Sequence, residues 1–127
     1  MLAFCTRCWS EISARDVVCP ECGTRVEDDP RSFEQKLVDA LAHPLPETRA
    51  RICWVLGRKK AGWAVPHLLH ALADRDLFVR VAALRALGET GDESAVPALE
   101  RAAADESKLI RIVARTALCQ IRARESA

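Results

Sequence analysis

The chain has 127 residues, half of them hydrophobic, and 19 basic against 18 acidic side chains, so it holds enough apolar material for one compact helical body while its net charge says little about partners. No apolar run approaches the ~20 residues that span a bilayer, which argues against a membrane role. The charge distribution says more: residues 1–29 carry Arg7, Arg15 and Arg25 against Glu11, Asp16, Glu21, Glu27, Asp28 and Asp29, a net of −3, and residues 30–127 carry 16 basic and 12 acidic groups, a net of +4. An acidic N-terminal segment is a poor reader of nucleic acid, because phosphate binding needs cations.

The N-terminal segment holds two identical cysteine pairs, Cys5-Thr-Arg-Cys8 and Cys19-Pro-Glu-Cys22. Each tight turn can aim two sulfurs at one point, and the four together make a closed tetrahedral shell for a single structural Zn²⁺. Gly23 sits where such a turn needs positive φ, and Pro20 fixes φ just inside the second pair. The ten residues from Trp9 to Val18 suit one short hairpin, with Ser10, Ser13 and Asp16 as turn residues and Ile12, Val17 and Val18 as strand residues. A redox pair lacks its βαβ surroundings, and disulfides need an oxidising compartment, for which Cys5 lies too near Met1 to leave room for a signal peptide. A catalytic zinc needs an open position that four thiolates do not leave. The motif Cys-x-x-Cys with Cys-Pro-x-Cys-Gly resembles a zinc ribbon of the rubredoxin-knuckle kind.

From about Pro30 the chain repeats itself every 31 residues: Arg49, Arg80 and Arg111; Leu56, Leu87 and Leu118; Leu37, Leu68 and Leu99. A fixed period near thirty with helical internal spacing means stacked helix pairs. First helices are predicted over about Ser32–Ala42, Ala64–Ala73 and Ser94–Ala104, and second helices over about Pro46–Gly57, Asp76–Gly88 and Ser107–Arg124. Ser32 with Gln35 reads as a capping box, Pro66 and Pro97 sit in first turns, and Gly57 and Gly88 read as helix ends. Cys53 and Cys119 fall in second helices and read as small core fillers.

The run Val79-Arg80-Val81-Ala82-Ala83-Leu84 through Leu87-Gly88, then Ala95-Val96-Pro97-Ala98-Leu99, resembles the short HEAT-like repeats first recognised in phycobilin lyases. The resemblance implies that the acid–arginine pairs Asp74 with Arg80 and Asp105 with Arg111 tie neighbouring repeats together; the first copy departs from it, with His43 in place of the acid. The expected fold is therefore mostly α: a three-repeat HEAT-like α-solenoid (about 32–62, 63–93 and 94–124, within residues 30–127) behind a zinc ribbon over residues 1–29 with a short β-hairpin.

In stacked pairs the second helices usually line the concave face. Aligning the copies there gives the columns Glu47, Phe78, Leu109; Ala50, Val81, Ile112; and Trp54, Arg85, Thr116. Apolar and aromatic residues where a solvated face would carry charge point to a protein-binding patch formed by Trp54, Phe78, Val81, Arg85, Leu109 and Ile112. The alternative is that Trp54 and Phe78 belong to the core. The loop Arg58-Lys59-Lys60 beside Trp63 is a candidate anion site, and the acidic Glu27-Asp28-Asp29 segment is expected to dock on the basic first repeat as an intramolecular cap. Apolar residues on several faces of the last helix suggest self-association. No catalytic constellation is readable: His43, His67 and His70 lack a carboxylate trio, and there is no phosphate loop. A bilin-lyase-related activity would follow from resemblance alone. The sequence points to a cytoplasmic, non-enzymatic adaptor that binds another protein, with a nucleic-acid-associated module as the alternative.

Overall fold

The structure is a computed structural model that describes residues 2–5, 7–8, 10–13, 15–25 and 32–125. The chain falls into two compact units, Met1–Ala40 and Leu41–Ala127.

In the first unit, β1 (Leu2–Phe4) pairs antiparallel with β2 (Glu11–Ser13), placing Leu2 opposite Ser13 and Phe4 opposite Glu11. The two strands flank the first cysteine pair. The hairpin thus differs from the one expected within Trp9–Val18, because β2 finds its partner before Cys5. Asp16 closes the chain after β2: its Oδ2 accepts from Ser13 N–H at 2.8 Å and its own N–H donates to Ser13 O at 3.0 Å. That turn leaves Val17 and Val18 exposed, with Val18 making only an isolated bridge to Arg25. Helix α1 (Phe33–Ala40) begins at Ser32, whose Oγ accepts from Gln35 N–H at 3.1 Å. The Gln35 amide instead runs forward to Asp39 Oδ1 at 2.8 Å, so half of the expected capping box forms. Glu27-Asp28-Asp29 lies outside the described residues.

The second unit contains α2 (Pro46–Arg58), α3 (Val65–Ala71), α4 (Leu77–Thr90), α5 (Val96–Ala102) and α6 (Lys108–Glu125). Pro46, Pro66 and Pro97 occupy first turns, where a missing N–H is not needed. Asp76 caps α4 by accepting from Phe78 N–H at 2.9 Å and Val79 N–H at 3.1 Å. Helix α4 packs on both α2 and α6. It buries Val79, Val81, Ala83, Leu84, Ala86 and Leu87, which lie around most of its circumference. Ile52, Leu56, Leu68, Leu84, Leu87 and Leu99 are wholly buried.

Two glycines set the helix spacing. A Cβ on Gly57 would lie 2.7 Å from Ala86 Cα, and one on Gly88 would lie 2.9 Å from Ala117 Cα. Both glycines lie within their helices, so the reading of them as helix ends is corrected: they are close-approach points, spaced by the repeat and facing alanines spaced by the same repeat. The left-handed stops come three residues later. Gly91 has φ +72° and donates to Leu87 O, while its counterpart Lys60 holds φ 51° without being glycine. Lys60 and Ala61 N–H reach back to Gly57 O and Leu56 O at 3.0 and 3.1 Å, closing α2. Cys53 is wholly buried, and burial pushes its thiol up to about 12, as suits a core filler. Cys119, at the repeat position of Gly57 and Gly88, is exposed, which corrects its reading as a core filler.

The arginine ladder also differs from the expected pairing. Arg49 meets Asp74 of the next copy side-on, Nε to Oδ2 at 2.9 Å and Nη2 to Oδ1 at 3.1 Å. Its Nη1 donates to the backbone carbonyls of His43 and Pro44 at 2.8 and 3.1 Å. Arg111 repeats that backbone grip on Asp105 O and Glu106 O at 2.8 and 2.9 Å. The acid side chain also caps its own turn: Asp74 Oδ1 accepts from Asp76 N–H and Asp105 Oδ1 from Ser107 N–H, both at 2.9 Å. His43 Nδ1 does the same for Leu45 N–H at 3.1 Å. The departure at His43 therefore leaves the first rung intact, since Arg49 asks of residue 43 only its carbonyl.

Candidate functional site

The two cysteine turns have the same local architecture. Cys5 N–H donates to Ser10 O and Cys19 N–H to Thr24 O, each at 2.9 Å and each across five residues. The second sulfur of each pair lies 3.3 Å from a hydroxyl two residues on, Cys8 from Ser10 Oγ and Cys22 from Thr24 Oγ1. Gly23 has φ +76° with open space where a Cβ would stand, so glycine serves this turn through its backbone freedom alone. Arg7 N–H donates to Cys5 Sγ at 3.4 Å.

The turns bring all four sulfurs within 4.8 Å of one another, with Cys5 Sγ 3.5 Å from Cys22 Sγ and Cys8 Sγ 3.6 Å from Cys19 Sγ. These separations are well beyond the ~2.05 Å of a disulfide and close to the ~3.8 Å edge of a tetrahedron with ~2.3 Å metal–sulfur bonds. Cys5, Cys8, Cys19 and Cys22 can hold a metal ion, and they are the one such cluster among the described residues. Cys5 and Cys19 are buried with Ile12, and Cys8 packs against them. Burial pushes the Cys5 thiol up to about 11, while the Thr24 hydroxyl beside Cys22 lowers that thiol to about 6. A divalent cation at the centre would favour the thiolate at all four.

In the second unit, α2, α4 and α6 present a second set of candidates. Phe78 is 69% exposed, Trp54 59%, Ile112 50% and Leu109 40%, so Trp54 and Phe78 are surface residues and not core. Val81, placed with them by the column alignment, is buried. Arg85 is exposed and forms one wall of a cleft of about 270 Å³ between α4 and α6. Glu89 lies beside it, with Ile112, Thr116 and Gln120 opposite. Arg58, Lys59 and Lys60 are exposed, and the Arg58 guanidinium stands 5.9 Å from the Trp54 ring centroid, an i,i+4 cation–π contact on α2. Trp63, expected beside these cations, is 41% exposed. His67 and His70 are exposed on α3.

Sequence reasoning named Ser10 only as a turn residue and missed Thr24, although a hydroxyl two residues after the second cysteine of each pair is visible in the chain. It also missed Glu89 and Gln120, for which no sequence signal exists apart from their place one turn beyond Arg85 and Thr116.

The pattern of HEAT repeats matches residues 34–119, more than half of the chain. The chain belongs to the HEAT-repeat family. HEAT repeats generally serve as protein-interaction scaffolds. No curated protein matches the chain. No helix among the described residues is long and apolar enough to cross a membrane.

Proposed function

We propose that this protein is a cytoplasmic, non-enzymatic adaptor: a zinc ribbon over residues 1–29 joined to three HEAT repeats of the phycobilin-lyase type over residues 30–127. The ribbon's metal is one structural Zn²⁺ on Cys5, Cys8, Cys19 and Cys22. Four thiolates in a closed shell suit zinc and leave no position for a substrate.

The observation that carries the reading is the exposure of Trp54, Phe78, Leu109 and Ile112 along three packed second helices. Large apolar side chains lose contact with water only when a partner covers them, and each is worth roughly 1.5–3 kcal/mol when fully buried. Around them stand the exposed cations Arg51, Arg58, Arg85, Lys108 and Arg115, with Glu47 and Glu89 as acidic neighbours. This charge pattern fits an apolar segment of another protein with acidic flanks. Arg85 and Ile112, facing each other across the α4–α6 cleft, would hold such a segment at both its charged and apolar points.

The test compares the native full chain with a Trp54→Ser, Phe78→Ser, Ile112→Ser variant for proteins retained from the native host, identified by mass spectrometry. The expected result is loss of a reproducible acidic partner with little change in Tm, because the three side chains are already exposed. An unchanged partner set, or a collapse of Tm equal to a core truncation, overturns the proposal. Retention that is nuclease-sensitive and falls steeply with salt would favour the nucleic-acid reading through Arg58, Lys59 and Lys60. A concentration-dependent dimer abolished by the same substitutions would make a second copy the occupant.

A further inference from the structure

The two cysteine turns are alike in their hydrogen bonds and unlike in their cover. Cys5 and Cys19, the first of each pair, are 2% and 1% exposed, and Cys8 is half-buried. Cys22 is the exposed member of the four, and its neighbours Pro20, Glu21 and Gly23 are exposed with it. The second turn therefore opens to solvent at one sulfur, while Cys5 and Cys19 are sealed. Cys22 Sγ stands 3.5 Å from Cys5 Sγ in the opposite turn, and Cys8 Sγ stands 3.6 Å from Cys19 Sγ, again across the turns. The accessible sulfur thus has a buried one close behind it.

Cysteine oxidation follows thiolate character and access, and a second cysteine within reach turns the first product into a disulfide. A bound cation would hold all four sulfurs as thiolates, which leaves access to decide among them. We propose that Cys22 is a modification site, the point at which a small peroxide oxidises the cluster, with Cys5 as the resolving thiol; this rests on the four cysteines holding Zn²⁺. With hydrogen peroxide, the Cys22 thiolate attacks one oxygen and the O–O bond breaks. The sulfur becomes a sulfenic acid, and the leaving hydroxide takes a proton from solvent. The Cys5 thiolate then attacks the Cys22 sulfur, the S–S bond forms, the S–O bond breaks, and a second hydroxide leaves and is protonated to water. Two sulfurs lose two electrons in all, and the peroxide takes them. Two thiolates remain of the four, too few for a structural Zn²⁺ shell. Oxidation thus exchanges a metal crosslink for a covalent one between the same two turns, and a thiol reductant reverses it.

The test loads the full chain with equimolar Zn²⁺, confirms the metal content, and adds hydrogen peroxide stepwise. A chromogenic chelator reads the Zn²⁺ released, and mass-spectrometric mapping of the alkylated digest locates each bond. A short pulse of N-ethylmaleimide on the unoxidised chain ranks the sulfurs, with exposed Cys119 and buried Cys53 as references outside the cluster. The expected result is one Zn²⁺ lost per Cys5–Cys22 disulfide formed, and recovery of metal binding after dithiothreitol. Within the cluster Cys22 should carry the first label, and Cys53 should carry none. Mapping of Cys19–Cys22 or Cys5–Cys8 as the first bond overturns the proposal, as does first labelling of Cys5, Cys8 or Cys19. So does peroxide that oxidises Cys119 and leaves Zn²⁺ in place. A chain that takes up no Zn²⁺ defeats the zinc reading and this proposal together, whereas a zinc-loaded chain that fails the mapping defeats this proposal alone.

Discussion

The two units of this chain differ in how much apolar material they bury. In the first, the described buried cluster around the sulfurs is Cys5, Cys19 and Ile12 with Cys8 packed against it. In the second, α4 is sandwiched by two other helices, and at least six aliphatic side chains are wholly removed from water. With the proposed metal in place, one unit would concentrate its stability in four sulfurs, whereas the other spreads it over many contacts. The lesson is that a short segment with almost no apolar interior calls for directed bonds, such as four metal–sulfur bonds would supply, whereas a repeat is set by the distance at which its helices meet.

The sharpest way to break this comparison is to deny the four sulfurs a metal. Chelation of the full chain, or Cys19→Ser, should abolish chemical-shift dispersion in residues 2–25 while the α2–α6 signals persist. Structural zinc contributes roughly 10 kcal/mol or more in comparable small modules. Loss of both sets of signals together would show that the units are not independent.

The next test strikes the second unit where its helices meet. Gly57→Ala gains up to about 1 kcal/mol in helix propensity. The added methyl meets backbone at 2.7 Å, so α2 and α4 must separate. Overpacking of this kind costs about 1–3 kcal/mol and outweighs the gain. A net loss of about 1 kcal/mol in urea unfolding is the expected outcome. Gly88→Ala should behave alike, since Ala117 backbone and the Gln120 amide stand in the way.

A pH-dependent effect separates charge from packing. The Arg49 guanidinium holds the Asp74 carboxyl below its ordinary range, a depressed folded-state value. Its stabilisation is complete above the unfolded value of ~3.9 and fades as pH falls through the folded one. Stability of the native chain should therefore drop as pH is lowered from about 5 toward 2, and the Asp74→Asn chain should lack that part of the slope. At pH 7 the substitution should cost about 2 kcal/mol, the scale of a charge-assisted bidentate pair. The smallest expected change has the opposite sign. Lys60→Gly relieves a left-handed backbone that Gly91 holds freely in the next copy, and should add about 0.5–1 kcal/mol.

These features differ in how plainly the chain declares them. The repeat is written in its 31-residue period, and the cysteine cluster in its spacing, because both depend on local geometry. The strand pairing was not legible: Leu2–Phe4 is three residues long, too short for alternation to be seen, and its partner is fixed by the turn at Cys5. The ladder was misread because spacing gives the acid and arginine of one copy, whereas a guanidinium reaches across 25 residues to the next. Gly57 and Gly88 looked like helix stops until Ala86 and Ala117 were placed against them. Their shared interval was the available clue, with Gly91 and Lys60 marking the true ends. The exposure of Trp54 and Phe78 was legible as one of two readings: aligning the copies put them on the open side of the second helices, but an aromatic residue at helical spacing reads equally well as core.

The glycine–alanine seam has a consequence for how such a chain can change. Where Gly57 meets Ala86 and Gly88 meets Ala117, the close approach of helix backbones sets how neighbouring copies meet. The outward residues, Trp54, Phe78, Leu109 and Ile112, play no part in that approach. They can be rewritten one at a time without disturbing the spine beneath them, so a new specificity can arise on an old frame.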